Sequence, residues 1–205
     1  MNGKDGKPFK TRSGGVMRLE YLLDETKQTM LEKIKANGTM DENEADKTAG
    51  IVALSALKYG DLSNQASKDY VFDIERFTSS EGNTGPYLLY TIVRIKSILR
   101  KYEETFGKTD CEIMAPSSDG QRALMLSLCA WPETARVAAE DLAPHKICSY
   151  LYDVANSFNR FYHDTNIMKE EDAKKQQSYI GLLKLARRIM EDGISLLGFE
   201  APERM

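Results

Sequence analysis

The chain has 205 residues, 41% of them hydrophobic and 29% charged, and carries a net charge of −3. That length can bury a sizeable core, and the weakly acidic balance excludes a protein that holds polyanions by bulk charge, so any nucleic-acid partner must be met by local basic patches. No apolar run of membrane-spanning length and no secretory leader pattern is present, and Cys111, Cys129 and Cys148 are too widely spaced for a disulfide framework or a zinc site. They read as buried thiols in a reducing compartment, which makes the cytoplasm the expected address.

In chain order, residues 1–15 are glycine-rich and basic and read as an exposed loop. Apolar residues at helical spacing (Leu19, Leu22, Leu23, Met30, Leu31, Ile34) predict a helix to about Ala36, stopped by Asn37-Gly38. Asp41 with Glu44 resembles a capping box, opening a long helix to Tyr59 that Gly60 is expected to end. Tyr70 to Ile74 reads as a short extended piece or a helix start. Thr84 is the expected cap of a helix from Pro86 to about Tyr102. A polar stretch, roughly 106–118, is the candidate internal seam. Further helices are expected near 119–130, 133–141, 144–163 and 170–197, with Gly198 after the last periodic residue. No strand alternation is sustained, so the fold class is all-α, a helical bundle.

At about 100° per residue, the Pro86–Tyr102 helix sorts its side chains into two faces. Leu88, Ile92, Ile95 and Leu99 make a core stripe, while Tyr87, Tyr90, Arg94 and Lys101 share a separate arc. Rings beside cations suit single-stranded RNA, offering faces to unstacked bases and charge to phosphates. Packing of both tyrosines against a neighbouring helix is the competing reading. In the helix near 144–163, Phe158 and Phe161 share a face with Leu151 and read as core, whereas Tyr162 lies elsewhere and could point outward. His145 and His163 have no partners at metal-ligand spacing, so no metal site is expected.

A self-contained active site is not expected. Gly3-Lys4-Asp5-Gly6-Lys7 invites a phosphate-loop reading, but Pro8 follows where a hydroxyl residue is needed, and no strand precedes it. No nucleophile elbow or zinc-protease motif occurs. Acidic pairs such as Glu103-Glu104 and Glu170-Glu171 read as solvated helix faces.

Six blocks, in order, then resemble one family over essentially the whole length. They are Gly6-Lys-Pro-Phe-Lys-Thr-Arg-Ser-Gly-Gly15, Leu57-Lys-Tyr-Gly-Asp-Leu-Ser63, Asp69-Tyr-Val-Phe-Asp73, and Glu81-Gly-Asn-Thr-Gly-Pro-Tyr87. Tyr150-Leu-Tyr152 with Phe158-Asn-Arg-Phe-Tyr162, and Leu196-Leu-Gly-Phe-Glu-Ala-Pro-Glu-Arg-Met205, complete the set. The chain resembles the C-terminal portion of arginyl-tRNA synthetases, class I aminoacyl-tRNA synthetases. The resemblance implies three parts: residues 1–15, a KMSKS-like loop of a catalytic domain otherwise missing; residues 16–80, connecting helices; and residues 81–205, a DALR anticodon-binding bundle. It implies that Lys10, Thr11, Arg12 and Ser13 belong to the loop over ATP, where Lys10 and Arg12 would stabilise charge developing on pyrophosphate. It places anticodon contacts at Tyr87, Tyr90, Tyr162 and Met205; Arg94 is added from the helical-face argument. The family commonly has a polar residue between the two tyrosines, where this chain has Leu88-Leu89.

The implied function is anticodon binding within an arginine–tRNA ligase, with tRNA-Arg and the catalytic domain of the same polypeptide as partners. ATP and magnesium would serve the full-length enzyme and no cofactor this portion. A monomer away from membranes is expected, inactive by itself because the ATP- and arginine-binding domain is absent. The alternatives are a free-standing helical protein-interaction module, which predicts no tRNA preference, and an autonomous enzyme, which predicts ATP–pyrophosphate exchange by the isolated chain.

Overall fold

The computed structural model describes residues 18–38, 40–108 and 111–205. Lys10, Thr11, Arg12 and Ser13 lie outside the described residues, as does the phosphate-loop-like stretch. Among the described residues the fold is all-α, with an isolated bridge at Val71 and no β-strand. The helices are α1 (Leu19–Asn37), α2 (Glu42–Leu62), α3 (Ile74–Phe77), α4 (Gly85–Phe106), α5 (Asp119–Cys129), α6 (Trp131–Glu140), α7 (Pro144–Asp164) and α8 (Ala173–Leu196), with a 3-10 turn at Ile167–Lys169.

Side-chain caps start α2, α4, α5 and α8. Asp41 accepts from the Glu44 N–H (2.9 Å), Thr84 from that of Tyr87 (3.2 Å), Ser118 from that of Gln121 (3.2 Å) and Asp172 from that of Lys174 (2.9 Å). The Asp41 capping box is only half built, because the Glu44 carboxylate pairs with Arg204. α1 ends at Gly38, as its sequence predicts. The expected stop at Gly60 is overturned, since α2 runs on to Leu62. Gly60 serves a close approach instead: a Cβ there would lie 2.3 Å from carbons of the Phe77 ring. Gly85, in the first turn of α4, works the same way, with a Cβ falling 2.4 Å from the Ser55 carbonyl oxygen. That contact sets how closely the start of α4 approaches α2.

One apolar core runs through the bundle, joining Met30 and Ile34 of α1, Val52 of α2, Ile92 and Ile95 of α4, Leu151 and Phe158 of α7, and Leu183 of α8. Leu19, expected on the buried stripe of α1, is instead exposed. A satellite cluster of Leu22, Ala56, Phe72 and Phe77 seals the segment around α3. The Tyr59 hydroxyl, at the end of α2, reaches the Cys148 carbonyl (2.9 Å) and ties α2 to α7. The stretch expected as a seam does not divide this core. Its described part lies along α8, where the Met114 N–H donates to the Ser178 hydroxyl (2.9 Å) and the Ser117 and Tyr179 hydroxyls meet at 3.1 Å.

The cysteines also depart from expectation: Cys148 is buried, Cys111 half-buried and Cys129 exposed at the end of α5. Periodicity places Cys129 on a short helix but says nothing of how little covers that end.

Candidate nucleic-acid interface

α4 and α7 lie side by side, and the polar face between them holds most of the residues singled out in the sequence. Leu88, Ile92 and Ile95 are fully buried on α4, so the helix is fixed in rotation with its aromatic and basic arc at the edge of the bundle. Leu89 is fully buried too. The Leu88-Leu89 pair therefore belongs to the core and has no side-chain contact to offer a ligand.

Arg94 occupies the centre. Its guanidinium carbon sits 4.6 Å from the centroid of the Tyr90 ring and 5.5 Å from that of Tyr162, which brings residues from two helices onto one cation. The two rings remain 43% and 39% exposed. Tyr162 is held from behind by stacking on Phe158, which is fully buried (ring centroids 5.8 Å, interplanar angle 16°). Phe158, Phe161 and Leu151 are all fully buried, as their shared face predicts.

A hydrogen-bonded chain orients the cation. Arg94 Nη1 donates to Asn159 Oδ1 (3.0 Å), Asn159 Nδ2 donates to the Tyr87 hydroxyl (2.9 Å), and that hydroxyl donates to Asn156 Oδ1 (2.8 Å). Asn159 and the Tyr87 hydroxyl each accept on one side and donate on the other, which fixes the Asn159 amide in one orientation. Tyr87 is thereby committed to α7. It is half-buried and packs against the Tyr152 ring at 5.6 Å. Asn156 and Asn159 carry roles the sequence reading did not assign. Their spacing with Tyr152 along one face of α7 is the signal that could have found them.

Beside Tyr90 lies a cavity of about 360 Å³, bounded by Met30, Ile34, Pro86, Tyr90 and Met205. Lys33 stands on its rim, donating to the Thr78 carbonyl (3.0 Å) and hydroxyl (2.9 Å), with Glu75 on the same rim. Lys33 is a second cation that periodicity alone did not single out. Met205 is half-buried and reaches this cavity from the far end of the sequence. On the other side of the Arg94 ridge, Tyr162 borders a groove of about 650 Å³ that also contains Lys101 and Asn166. Tyr87, Tyr90, Arg94, Tyr162 and Met205 are thus brought to one surface, with Lys101 at its margin.

Among the described residues, no group of three or more His, Cys, Asp or Glu side chains is placed to hold a metal. Burial pushes the Cys148 thiol up to about 12 and pushes the Tyr59 and Tyr150 hydroxyls higher still, away from the range in which a general acid or base works near neutral pH. No helix among the described residues is long and apolar enough to cross a membrane. The surface offers rings, cations and amides, which is binding chemistry.

The family model described as the DALR anticodon binding domain matches residues 88–205, more than half of the chain. The chain belongs to this family. The DALR match takes in Tyr90, Arg94, Tyr162 and Met205 and begins one residue after Tyr87. Ahead of it, the model for the class I tRNA synthetase (R) catalytic domain matches residues 1–74. A relative in Agathobacter rectalis, an arginine–tRNA ligase, is 60% identical across the whole chain, which covers 36% of that protein. An arginine–tRNA ligase of Alkaliphilus oremlandii is 52% identical, with 35% of it covered. The chain therefore spans about a third of the length of the curated relatives it matches. Among solved structures, the arginyl-tRNA synthetase of Thermus thermophilus aligns with the whole chain at a TM-score of 0.87 and 25% identity, over 34% of its own length. That of Plasmodium falciparum aligns with 92% of the chain at a TM-score of 0.78 and 24% identity, over 34% of its length, and speaks for the DALR-bearing fold alone.

Proposed function

We propose that the chain is the anticodon-reading part of an arginine–tRNA ligase, and that Tyr90, Arg94, Tyr162 and Met205 meet the unstacked anticodon loop of tRNA-Arg. The observation that carries this reading is the Arg94 guanidinium set between two exposed tyrosine rings, beside a cavity bounded by Tyr90 and Met205. Exposed rings give splayed bases a stacking platform, each worth about 1–3 kcal/mol, and the cation between them offers charge to phosphate. Tyr87, Asn156 and Asn159 hold that arrangement in place before RNA arrives, so less ordering cost falls on binding. In the whole ligase, Lys10, Thr11, Arg12 and Ser13 would cover ATP with magnesium during arginine activation, and the catalytic domain would be this chain's intramolecular partner. The chain by itself would bind tRNA without charging it, as a cytoplasmic monomer.

The test is a titration of the purified chain with a tRNA-Arg transcript and with a transcript altered in the anticodon loop, at fixed low salt. The expected result is preference for the first that falls on Tyr90→Ala and Tyr162→Ala. Equal, salt-sensitive binding of both transcripts, indifferent to the tyrosines, would sink the assignment of the site.

A further inference from the structure

Lys96 lies two residues beyond Arg94 on α4 but points to a different part of the molecule. It is 6% exposed, and its ammonium is surrounded by oxygens: Ala201 O (3.3 Å), Pro202 O (3.2 Å), Glu203 Oε1 (2.8 Å) and Glu191 Oε1 (3.2 Å). A buried ammonium is tolerated only when its N–H donors are met and its charge is balanced, and both conditions hold here. Three of the four oxygens come from one short segment, residues 201–203, which has left α8 and has no helix to hold it. We propose that Lys96 is a positioning residue for the nucleic-acid site, holding this segment so that Met205 closes the cavity beside Tyr90; the functional consequence rests on the anticodon reading above.

Other tethers act on either side of this one. Lys58 donates to the Gly198 carbonyl (2.6 Å), and Phe199 and Pro202 are buried, so the first half of the segment is held by apolar contact and this bond. Glu203 and Arg204 are exposed. Past Pro202, Met205 packs against the core by its own side chain, and the polar contacts of Glu203 and Arg204 guide the path to it. Arg204 pairs with the half-buried Glu44, but its own guanidinium is 54% exposed, so solvent screening weakens the pair. Lys96, 6% exposed, is the most buried of these polar anchors.

Two measurements on the whole chain test this. The first uses no RNA: the methyl resonance of selectively labelled Met205 is compared between the native protein and the Lys96→Met and Glu203→Gln variants. Glu203→Gln changes an exposed group and spares the fold, so it covers the case in which Lys96→Met is too unstable to study. The expected result is a Met205 methyl shifted toward its solvent-averaged value, fully in Lys96→Met and partly in Glu203→Gln. The second is the two-transcript titration, well below the melting temperature of each variant. Lys96→Met is expected to lose about fivefold to tenfold of the affinity for the tRNA-Arg transcript, as Met205→Ala does, with little change for the altered one. The double variant is expected to lose no more than either single variant, because both act through Met205. An unmoved methyl in both variants overturns the positioning role, and losses that multiply in the double variant overturn the shared route. If the methyl moves but the native chain shows no anticodon preference, the positioning stands and the anticodon reading fails.

Discussion

Arg94 and Lys96 are neighbouring cations on α4 in opposite circumstances. Arg94 is half-buried between aromatic rings, its hydrogen bond runs to a neutral amide, and among the described residues no carboxylate lies within ion-pair reach of it. Lys96 is almost fully buried and faces two carboxylates and two backbone carbonyls. One charge is oriented but left uncompensated at the surface, where it can meet phosphate. The other is neutralised inside the fold, where it can only organise structure. Charge type and sequence position do not distinguish the two; what surrounds each ammonium or guanidinium does.

This contrast predicts effects of different size and kind. The largest is on RNA binding at the open edge: Tyr90→Ala should cost about 1–3 kcal/mol of affinity for an anticodon stem–loop, with little change in urea midpoint, since the ring is half in water. A large fall in the midpoint would move Tyr90 from the binding face into the structural framework. Next comes Lys96→Ala, expected to lower unfolding stability by about 2 kcal/mol in urea titration. That is below the loss typical of a fully buried pair, because much of Glu203 is in water and softens the effect. Equal stability losses from Arg94→Ala and Lys96→Ala would erase the distinction between the two sites.

Arg94→Ala should be nearly silent in stability but should reduce the salt dependence of RNA binding by about one phosphate contact, a change of about 0.7 in the log–log slope. Arg94→Lys should keep that slope yet lose some affinity, since an ammonium cannot reproduce a guanidinium that lies near both the Tyr90 and Tyr162 rings. The smallest effect is on pH dependence. The hydrogen bond from Lys96, helped by its charge, holds the Glu203 carboxyl below its ordinary 4.5. Its contribution is therefore complete above that value and is lost as pH falls through the lower folded-state value. Acid should loosen residues 201–205, measurable by hydrogen exchange, and Glu203→Gln should abolish that pH response.

Much of the helix pattern was readable because its signals are local. Caps such as Thr84 and Asp41, the stop at Gly38 and the stripe Leu88–Ile92–Ile95–Leu99 each depend on residues within a few turns of one another. Gly60 misled for a related reason. Its cue for ending a helix is local, whereas its actual role depends on Phe77, brought in by the chain's return around α3. The aromatic and basic arc of α4 was likewise visible in periodicity. Its division of labour was not, because Tyr87 and Tyr90 look alike until Asn156, Asn159 and Tyr152 arrive from α7.

By itself, the sequence determined the helical class, most element boundaries and the family resemblance, and it named Tyr87, Tyr90, Arg94, Tyr162 and Met205 as candidates. All of these rest on short-range periodicity or on ordered motifs. Only the tertiary structure decided that Tyr162 would share Arg94 with Tyr90, that Lys33 would rim the Met205 cavity, and that Lys96 would be buried among the oxygens of residues 201–203. These are contacts between distant parts of the chain. The environment that makes a cation an open ligand or a buried anchor forms only when the helices have closed around it.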